Sequence, residues 1–254
     1  MIELQFSNIC EHMAYTLNDG WYTDEIDKRQ IRYGFGSKHS LTIRQHERVR
    51  SLYPSISIEN SSVFQMEQVH GISIAIIRKK MNNQYMFGVD GMITDQPQCI
   101  LTARTADCIP IVYYDKKNHI IGISHQGWKG TFLEMAKHMI YTMENLGAEK
   151  SHISVFIGPS ICVNHYPIYG DRLDSFTNHY AQWRNQIIQK KEHTYYLNMS
   201  LLNRLQLCEA GIRPQNISIC DLCTYEHADS FFSYRRDGTI KNGEMVNYAC
   251  LLPA

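Results

Sequence analysis

The clearest periodic signal in the chain lies between residues 131 and 146. Phe132, Met135, Ala136, Met139, Ile140 and Met143 recur there at intervals of three and four, which places them on one face of a helix. Gly147 follows where a left-handed cap would end it. A second helix is predicted to begin near Asp171, whose carboxylate suits a helix start. A third covers residues 201–210 and stops at Gly211. Between these lie short apolar runs without alternation: 73–78 (SIAIIR), 109–114 (IPIVYY), 120–124 (IIGIS) and 153–157 (ISVFI). Runs this dense predict strands covered on both faces. Strands interleaved with helices predict an α/β sandwich with a mixed sheet, and leave the strand order open.

No internal repeat, low-complexity tract or Pro/Ser-rich linker interrupts residues 1–254, so one domain is the simplest account. Lys and Arg number 25, and so do Asp and Glu, which removes the electrostatic reason to expect nucleic acid as a partner. No stretch approaches the ~18 apolar residues of a membrane span. The beginning, Met1-Ile-Glu-Leu-Gln-Phe6, lacks the basic and apolar regions of a secretory leader. The eight cysteines are scattered rather than arranged as a disulfide framework. Reduced thiols and a cytoplasmic location are expected, with a monomer as the default.

Three segments place metal-ligand residue types beside tight turns at strand ends, where α/β proteins collect their sites. They are Gln68-Val69-His70-Gly71, Thr105-Ala106-Asp107-Cys108-Ile109-Pro110 and His125-Gln126-Gly127-Trp128-Lys129-Gly130. Two imidazoles and a thiolate suit zinc with an open water position. Such an ion activates that water and polarises a substrate oxygen. Gly127 and Gly130 flank a predicted helix start, so free amides there, with Lys129 nearby, offer an anion site for phosphate or carboxylate. Taken singly, each His or Cys is more often structural, and the three lie far apart in sequence, unlike a zinc finger.

Other candidates are less specific. In Phe231-Phe232-Ser233-Tyr234-Arg235-Arg236-Asp237-Gly238, the paired arginines can clamp an anion, or form the solvated basic end of an edge strand. Cys220 and Cys223 have CxxC spacing without a second pair, and read as coincidence. Asp90, in an Asp-Gly turn, is a candidate substrate ligand, and Asp90 or Asp107 a candidate proton carrier. His119 reads as an exposed loop residue.

Taken in order, QVHG, TADCIPI, HQGWKG, GPSI and FFSYRRDG resemble the multicopper polyphenol oxidase, or laccase-domain, family, which includes non-classical purine nucleoside phosphorylases. The resemblance runs from about Phe64 to Asn247. It implies a layered α-β-β-α sandwich with mixed sheets, similar to toxin deamidases with a Cys–His pair. It implies a metal site at His70, Cys108 and His125, holding zinc, with copper as an alternative. The family's reactions are phosphorolysis of adenosine, inosine and methylthioadenosine, and deamination of adenosine; some members are linked to peptidoglycan-precursor editing. Carried onto this chain, the site comprises Cys108, Asp107 and Arg235 as catalytic candidates. Lys129, Gly127, Gly130, Asp90 and Arg236 are candidates for binding the nucleoside and phosphate.

The chain departs from the family at three places. Lys129 stands where Arg is usual and Gln126 where Ala is usual. Tyr33-Gly34-Phe35-Gly36-Ser37-Lys38-His39-Ser40 replaces a segment of the type STRxGGVS, with no SLNLG stretch after it. Three competing readings stand beside the phosphorylase. One is a copper-dependent phenol oxidase, and one a metal-free Cys–His hydrolase with Cys108 as nucleophile. The third is a binding module without catalysis.

Overall fold

The structure is a computed structural model and describes residues 16–18, 21–23, 30–40, 42–43, 61–81, 84–240 and 243–253. Met1 to Phe6 and Cys10 lie outside the described residues. In chain order the strands are β1 (Thr16–Asn18), β2 (Trp21–Thr23), β3 (Ile31–Gly36), β4 (Thr42–Ile43), β5 (Ser62–Met66), β6 (Ile74–Ile77), β7 (Gln84–Met86), β8 (Gly91–Thr94), β9 (Cys99–Thr105), β10 (Ile109–Asp115), β11 (Ile120–Gln126), β12 (Ile153–Ile157), β13 (Pro167–Ile168), β14 (Ile188–Lys191), β15 (Thr194–Leu197), β16 (Ile217–Ile219) and β17 (Glu244–Leu251). The helices are α1 (Trp128–Phe132), α2 (Met135–Asn145), α3 (Gly170–His179), α4 (Arg184–Ile187), α5 (Met199–Glu209) and α6 (Tyr234–Asp237).

Two mixed sheets form the frame. One runs β1-β2-β3-β17-β9-β5-β7, with β4 also on β17, and the other runs β16-β12-β10-β11-β8-β6. Their facing sides share one core, in which Phe35, Phe64, Leu101, Val112, Ile123, Phe156 and Ala249 are buried. The opposite side of the second sheet carries Ile109, Ile111, Tyr113, Val155 and Ile157 against Met135, Met139, Met143, Phe176 and Leu202 of α2, α3 and α5. The fold is therefore the expected mixed α/β sandwich. On the far side of the first sheet, Val63, Ile100, Val246 and Cys250 are also buried, so both its faces are covered. A small β13-β15-β14 sheet adjoins the helical side.

Strands β10, β11 and β12 are buried along nearly their whole length, as their unbroken apolar runs predict. The 73–78 run differs: β6 is an edge strand and Ile76 is 39% exposed. The helix expected over 131–146 is two helices. Glu134 takes a left-handed conformation (φ 60°) between α1 and α2, and its carboxylate meets Lys137 at 2.7 Å. The apolar positions alone do not encode this break, because both pieces keep their buried face inward. Asp171 lies in the first turn of α3 rather than at its cap, which is Tyr169. Asn198 caps α5, its side chain accepting the Leu201 amide at 3.0 Å. Gly147 (φ 98°) and Gly211 (φ 99°) adopt the left-handed conformation expected of helix ends.

Candidate metal centre

Strand register explains how three distant segments meet. In the β10–β11 hairpin Pro110 pairs with His125 and Ile109 with Gln126, so Cys108, just before β10, arrives beside the end of β11. Strand β8 pairs with β11 through Gly91 and Ser124, and the His125 amide donates to the Asp90 carbonyl at 2.8 Å. Strand β6 runs parallel to β8 with Ile74 opposite Gly91, which brings the 68–71 turn against Asp90. Adjacent strands thus deliver His70, Cys108 and His125 to one end of one sheet. Their donor atoms lie within 4.8 Å of one another. Cys108 Sγ is 3.8 Å from His70 Nε2, and the two imidazole rings meet edge to face at 4.7 Å.

Asp90 organises this corner. It is fully buried, and its carboxylate accepts the backbone N–H groups of Val69 (3.1 Å), His70 (3.0 Å) and Gly71 (2.7 Å). It also accepts the Nδ1 hydrogen of His125 at 2.8 Å, because a carboxylate can only accept there. That bond fixes the orientation of the His125 ring and turns Nε2 toward Cys108, the usual arrangement behind a metal-binding histidine. The three amides hold His70 in a left-handed conformation (φ 58°). Burial alone would push the Asp90 carboxyl up. Its bonds to His125, Gly71 and Val69 outweigh burial and hold it below the ordinary range. Both oxygens of Asp90, the candidate substrate ligand or proton carrier, are engaged inside the protein.

The glycines of HQGWKG serve packing. A Cβ on Gly127 would lie 2.4 Å from His70 Cδ2 and 3.3 Å from Cys108 Sγ, so a side chain there would displace two donors. A Cβ on Gly130 would meet the Gly71 carbonyl at 3.3 Å. Helix α1, which starts here, has only five residues and so a short dipole. Gln126 turns to the helical side of its sheet and donates to Tyr113 Oη (2.9 Å) and Ser124 Oγ (3.1 Å).

Electrostatics tie the trio together. Burial opposes a charged Cys108 thiol, but the His125 charge and hydrogen bonds from both imidazoles outweigh it, bringing the thiol down to about 7. Burial likewise opposes a charged His125, and the Cys108 thiolate and Asp90 raise it to about 9. A thiolate facing a fixed imidazole and a second imidazole is a nitrogen–nitrogen–sulfur donor set that fits a zinc-type ion with an open position.

Asp107 and Arg236, candidates for catalysis and substrate binding, are both engaged by groups within the protein. Asp107 (φ 91°) is buried and accepts Thr224 Oγ1 at 2.6 Å, Ser233 Oγ at 3.0 Å and the Arg235 amide at 2.7 Å. It therefore anchors the loop after β16 through both oxygens. Arg236 donates to the carbonyls of Thr224 (2.8 Å), Tyr225 (3.1 Å) and Phe231 (2.9 Å), and pairs with Asp237. Its fork is spent inside the protein.

Arg235 is exposed, with its guanidinium 5.1 Å from the centre of the Tyr166 ring. Arg172, which the sequence reading did not single out, reaches Tyr166 Oη at 3.5 Å and lies 4.1 Å over the Trp128 ring. Lys129 is exposed, its Nζ 5.6 Å from the same ring. Tyr166 is buried; burial first, and the Cys108 charge, push its hydroxyl up against the pull of Arg172 and Arg235. Two arginines thus converge on a tyrosine that faces the trio. Arg172 carries no local signal, because it lies in an ordinary amphipathic helix and only packing brings it here. The 33–40 segment adjoins the same region: the Lys38 amide donates to the Ser230 carbonyl at 2.7 Å, and its Nζ lies 5.1 Å from the Phe232 ring. His119, with φ 52°, sits in the exposed turn after β10.

The fold and this site define an α/β sandwich protein with a candidate Cys/His metal centre at one sheet end. Residues 35–252 match the family described as multi-copper polyphenol oxidoreductase laccase, and the chain belongs to that family. It is 30% identical over 210 residues to a purine nucleoside phosphorylase of Staphylococcus saprophyticus, covering 83% of this chain and 77% of that one. It is 31% identical over 170 residues to a purine nucleoside phosphorylase of Bacteroides thetaiotaomicron. That match covers 66% of this chain and 63% of the relative, so the chain spans under two thirds of that protein's length. Its fold matches the crystal structure of YlmD from Geobacillus stearothermophilus with a TM-score of 0.85 at 24% identity, covering 95% of this chain and 100% of that one.

Proposed function

We propose that the chain is a zinc-dependent purine nucleoside phosphorylase. The observations that carry this reading are the meeting of His70, Cys108 and His125, and the two arginines Arg172 and Arg235 gathered on Tyr166, whose hydroxyl feels the Cys108 charge. The names of the relatives support the reaction. In phosphorolysis a phosphate oxygen bonds to C1′ of the ribose as the bond from C1′ to the purine breaks, and the base leaves taking up a proton. Arg235 and Arg172 bind the phosphate dianion by charge-assisted hydrogen bonds, and Lys129 adds positive charge at the entrance. Tyr166, held protonated, donates to a substrate oxygen. His70, Cys108 and His125 would hold the ion, which supplies Lewis-acid polarisation of a substrate oxygen when bound. Asp90 keeps His125 in the tautomer that presents Nε2.

One thiolate with two imidazoles favours zinc over a copper cluster, which needs many more histidines. A reducing, cytoplasmic setting belongs to the proposal, supported by seven unpaired cysteines among the described residues. The test is direct: purified protein with zinc, inosine and phosphate is expected to release hypoxanthine and ribose 1-phosphate. Adenosine without phosphate tests for inosine and hence deamination. No product from inosine or adenosine, with phosphate present and zinc bound, sinks the reading.

A further inference from the structure

We propose that the chain carries a second, structural metal site, in which Cys162, His165, Cys223 and Glu226 hold one zinc-type ion. The four donor atoms all lie within 4.8 Å of one another. His165 Nδ1 is 3.4 Å from Cys162 Sγ, 3.8 Å from Cys223 Sγ and 3.3 Å from a Glu226 carboxylate oxygen. That same oxygen is 3.6 Å from Cys162 Sγ. A tetrahedral zinc site with ordinary bond lengths has sulfur–nitrogen and sulfur–oxygen edges of about 3.5 Å and nitrogen–oxygen edges of about 3.3 Å. Three of the observed spacings lie within 0.1 Å of those edges, and the His165–Cys223 spacing is 0.3 Å longer.

Without an ion the Cys162 thiol donates to the Glu226 carboxylate, and Cys162 Sγ, Cys223 Sγ and that carboxylate all converge on the single His165 ring nitrogen, which carries at most one hydrogen. A cation at the centre satisfies all of them at once. The backbone is arranged for this. The His165 amide donates to the Cys162 carbonyl at 3.1 Å and the His227 amide to the Cys223 carbonyl at 3.0 Å, so each ligand pair sits on its own tight turn. A parallel bridge between Ser160 and Cys223 sets one turn against the other. The Cys162 amide points at Cys223 Sγ at 3.2 Å, as amides do around metal-bound thiolates. The His165 ring stacks on Tyr225 at 4.3 Å, which fixes its plane. The donors are half-buried or buried except for Glu226, so the ion sits at the rim with its thiolates inward.

The position gives the site a role. One turn leads into Tyr166 and the other opens the loop that carries Arg235, whose guanidinium lies 5.1 Å from the Tyr166 ring. An ion here staples the turn before Tyr166 to the loop that carries Arg235, as structural zinc does between loops too short to pack a core.

The measurement is metal content per chain in full-length protein, purified with zinc and then desalted. Two ions are expected in the wild type, one in H70A/C108A/H125A and one in C162S/C223S. Loading the first variant with cobalt is expected to give the thiolate-to-cobalt charge-transfer band of a two-sulfur site. Only one ion in the wild type overturns the proposal, as does a first variant that binds no cobalt. Recovery of Cys162 and Cys223 as a disulfide from cells lysed under alkylating conditions overturns it as well. Should C162S/C223S not fold, the wild-type stoichiometry and the cobalt spectrum still decide. The readouts do not depend on nucleoside turnover, so they stand or fall separately from the proposed reaction.

Discussion

Asp90 and His125 are joined by a 2.8 Å hydrogen bond inside the protein, and the same carboxylate gathers three amides from the turn that carries His70. One buried side chain therefore aligns two of the three candidate metal donors. In D90N an amide N–H₂ would face backbone donors, and the His125 tautomer would lose its anchor. The expected outcome is a fall in zinc affinity of roughly 10–100-fold, measured by competition with a chelator. Unchanged affinity would show that the contact does not orient the ring.

Gly127 makes a sharper steric prediction. In G127A the new methyl meets His70 Cδ2, so zinc binding weakens while the remote core is untouched. Overpacking of this kind costs about 1–3 kcal/mol. Chelator competition and thermal unfolding of the metal-free protein separate the two effects. Full zinc affinity in G127A would mean that the His70 turn yields freely.

In metal-free protein the thiolate of Cys108 should form with a midpoint at about 7 and face a His125 imidazolium up to about 9. Cys108 is depressed relative to an unfolded thiol, so its contribution to stability is present above the unfolded value and lost as pH falls through about 7. His125 is raised, so its contribution is complete below the unfolded histidine value and lost as pH rises through about 9. Iodoacetamide labelling of Cys108 against pH, followed by mass spectrometry, reads the first transition. H125A is expected to move that midpoint upward, and an unmoved midpoint would contradict the pairing.

The adjacent arginines should part company. R235A is expected to raise the KM for phosphate roughly 10–100-fold, since a hydrogen bond to a charged group contributes about 1.5–3 kcal/mol, and to leave Tm nearly unchanged. R236A removes donors from the Thr224, Tyr225 and Phe231 carbonyls and should destabilise the fold by about 1–3 kcal/mol. Steady-state kinetics with calorimetry tests both. The reverse pattern would exchange the roles assigned to the pair.

Acid sensitivity has a second identifiable source far from the site. Asp115 is fully buried and accepts the amides of Lys117, Asn118 and Glu149 and the Asn118 side chain. Burial raises its carboxyl, but these bonds outweigh burial and hold it below the ordinary range. Its contribution is therefore present above the unfolded value of about 3.9 and lost as pH falls through the lower folded one. D115N should lower Tm at pH 7 and converge toward wild type in acid. A gap in Tm that is constant with pH would contradict this.

Much of the frame was legible in the apolar pattern because strand and helix periods are local properties. The runs of β10, β11 and β12 and the face of α2 needed no partner to be recognised. The break at Glu134 was not legible, since a single left-handed residue leaves the apolar spacing intact. The metal trio was legible as residue types beside turns, and its meeting follows from register. Cys223, read from its CxxC spacing as coincidence, has its neighbours in Cys162 and His165, and the loop partner that reveals this is about sixty residues away.

The sequence by itself determined the class of fold and the donor chemistry, because periodicity and ligand type are written residue by residue. Tertiary structure decided which polar residues remain free to act. Asp90, Asp107 and Arg236 look as reactive on paper as Arg235, but each is engaged by backbone and side-chain groups, most of them brought near only on folding. Arg172 gains its place for the converse reason: packing of α3 carries an unremarkable surface residue to Tyr166.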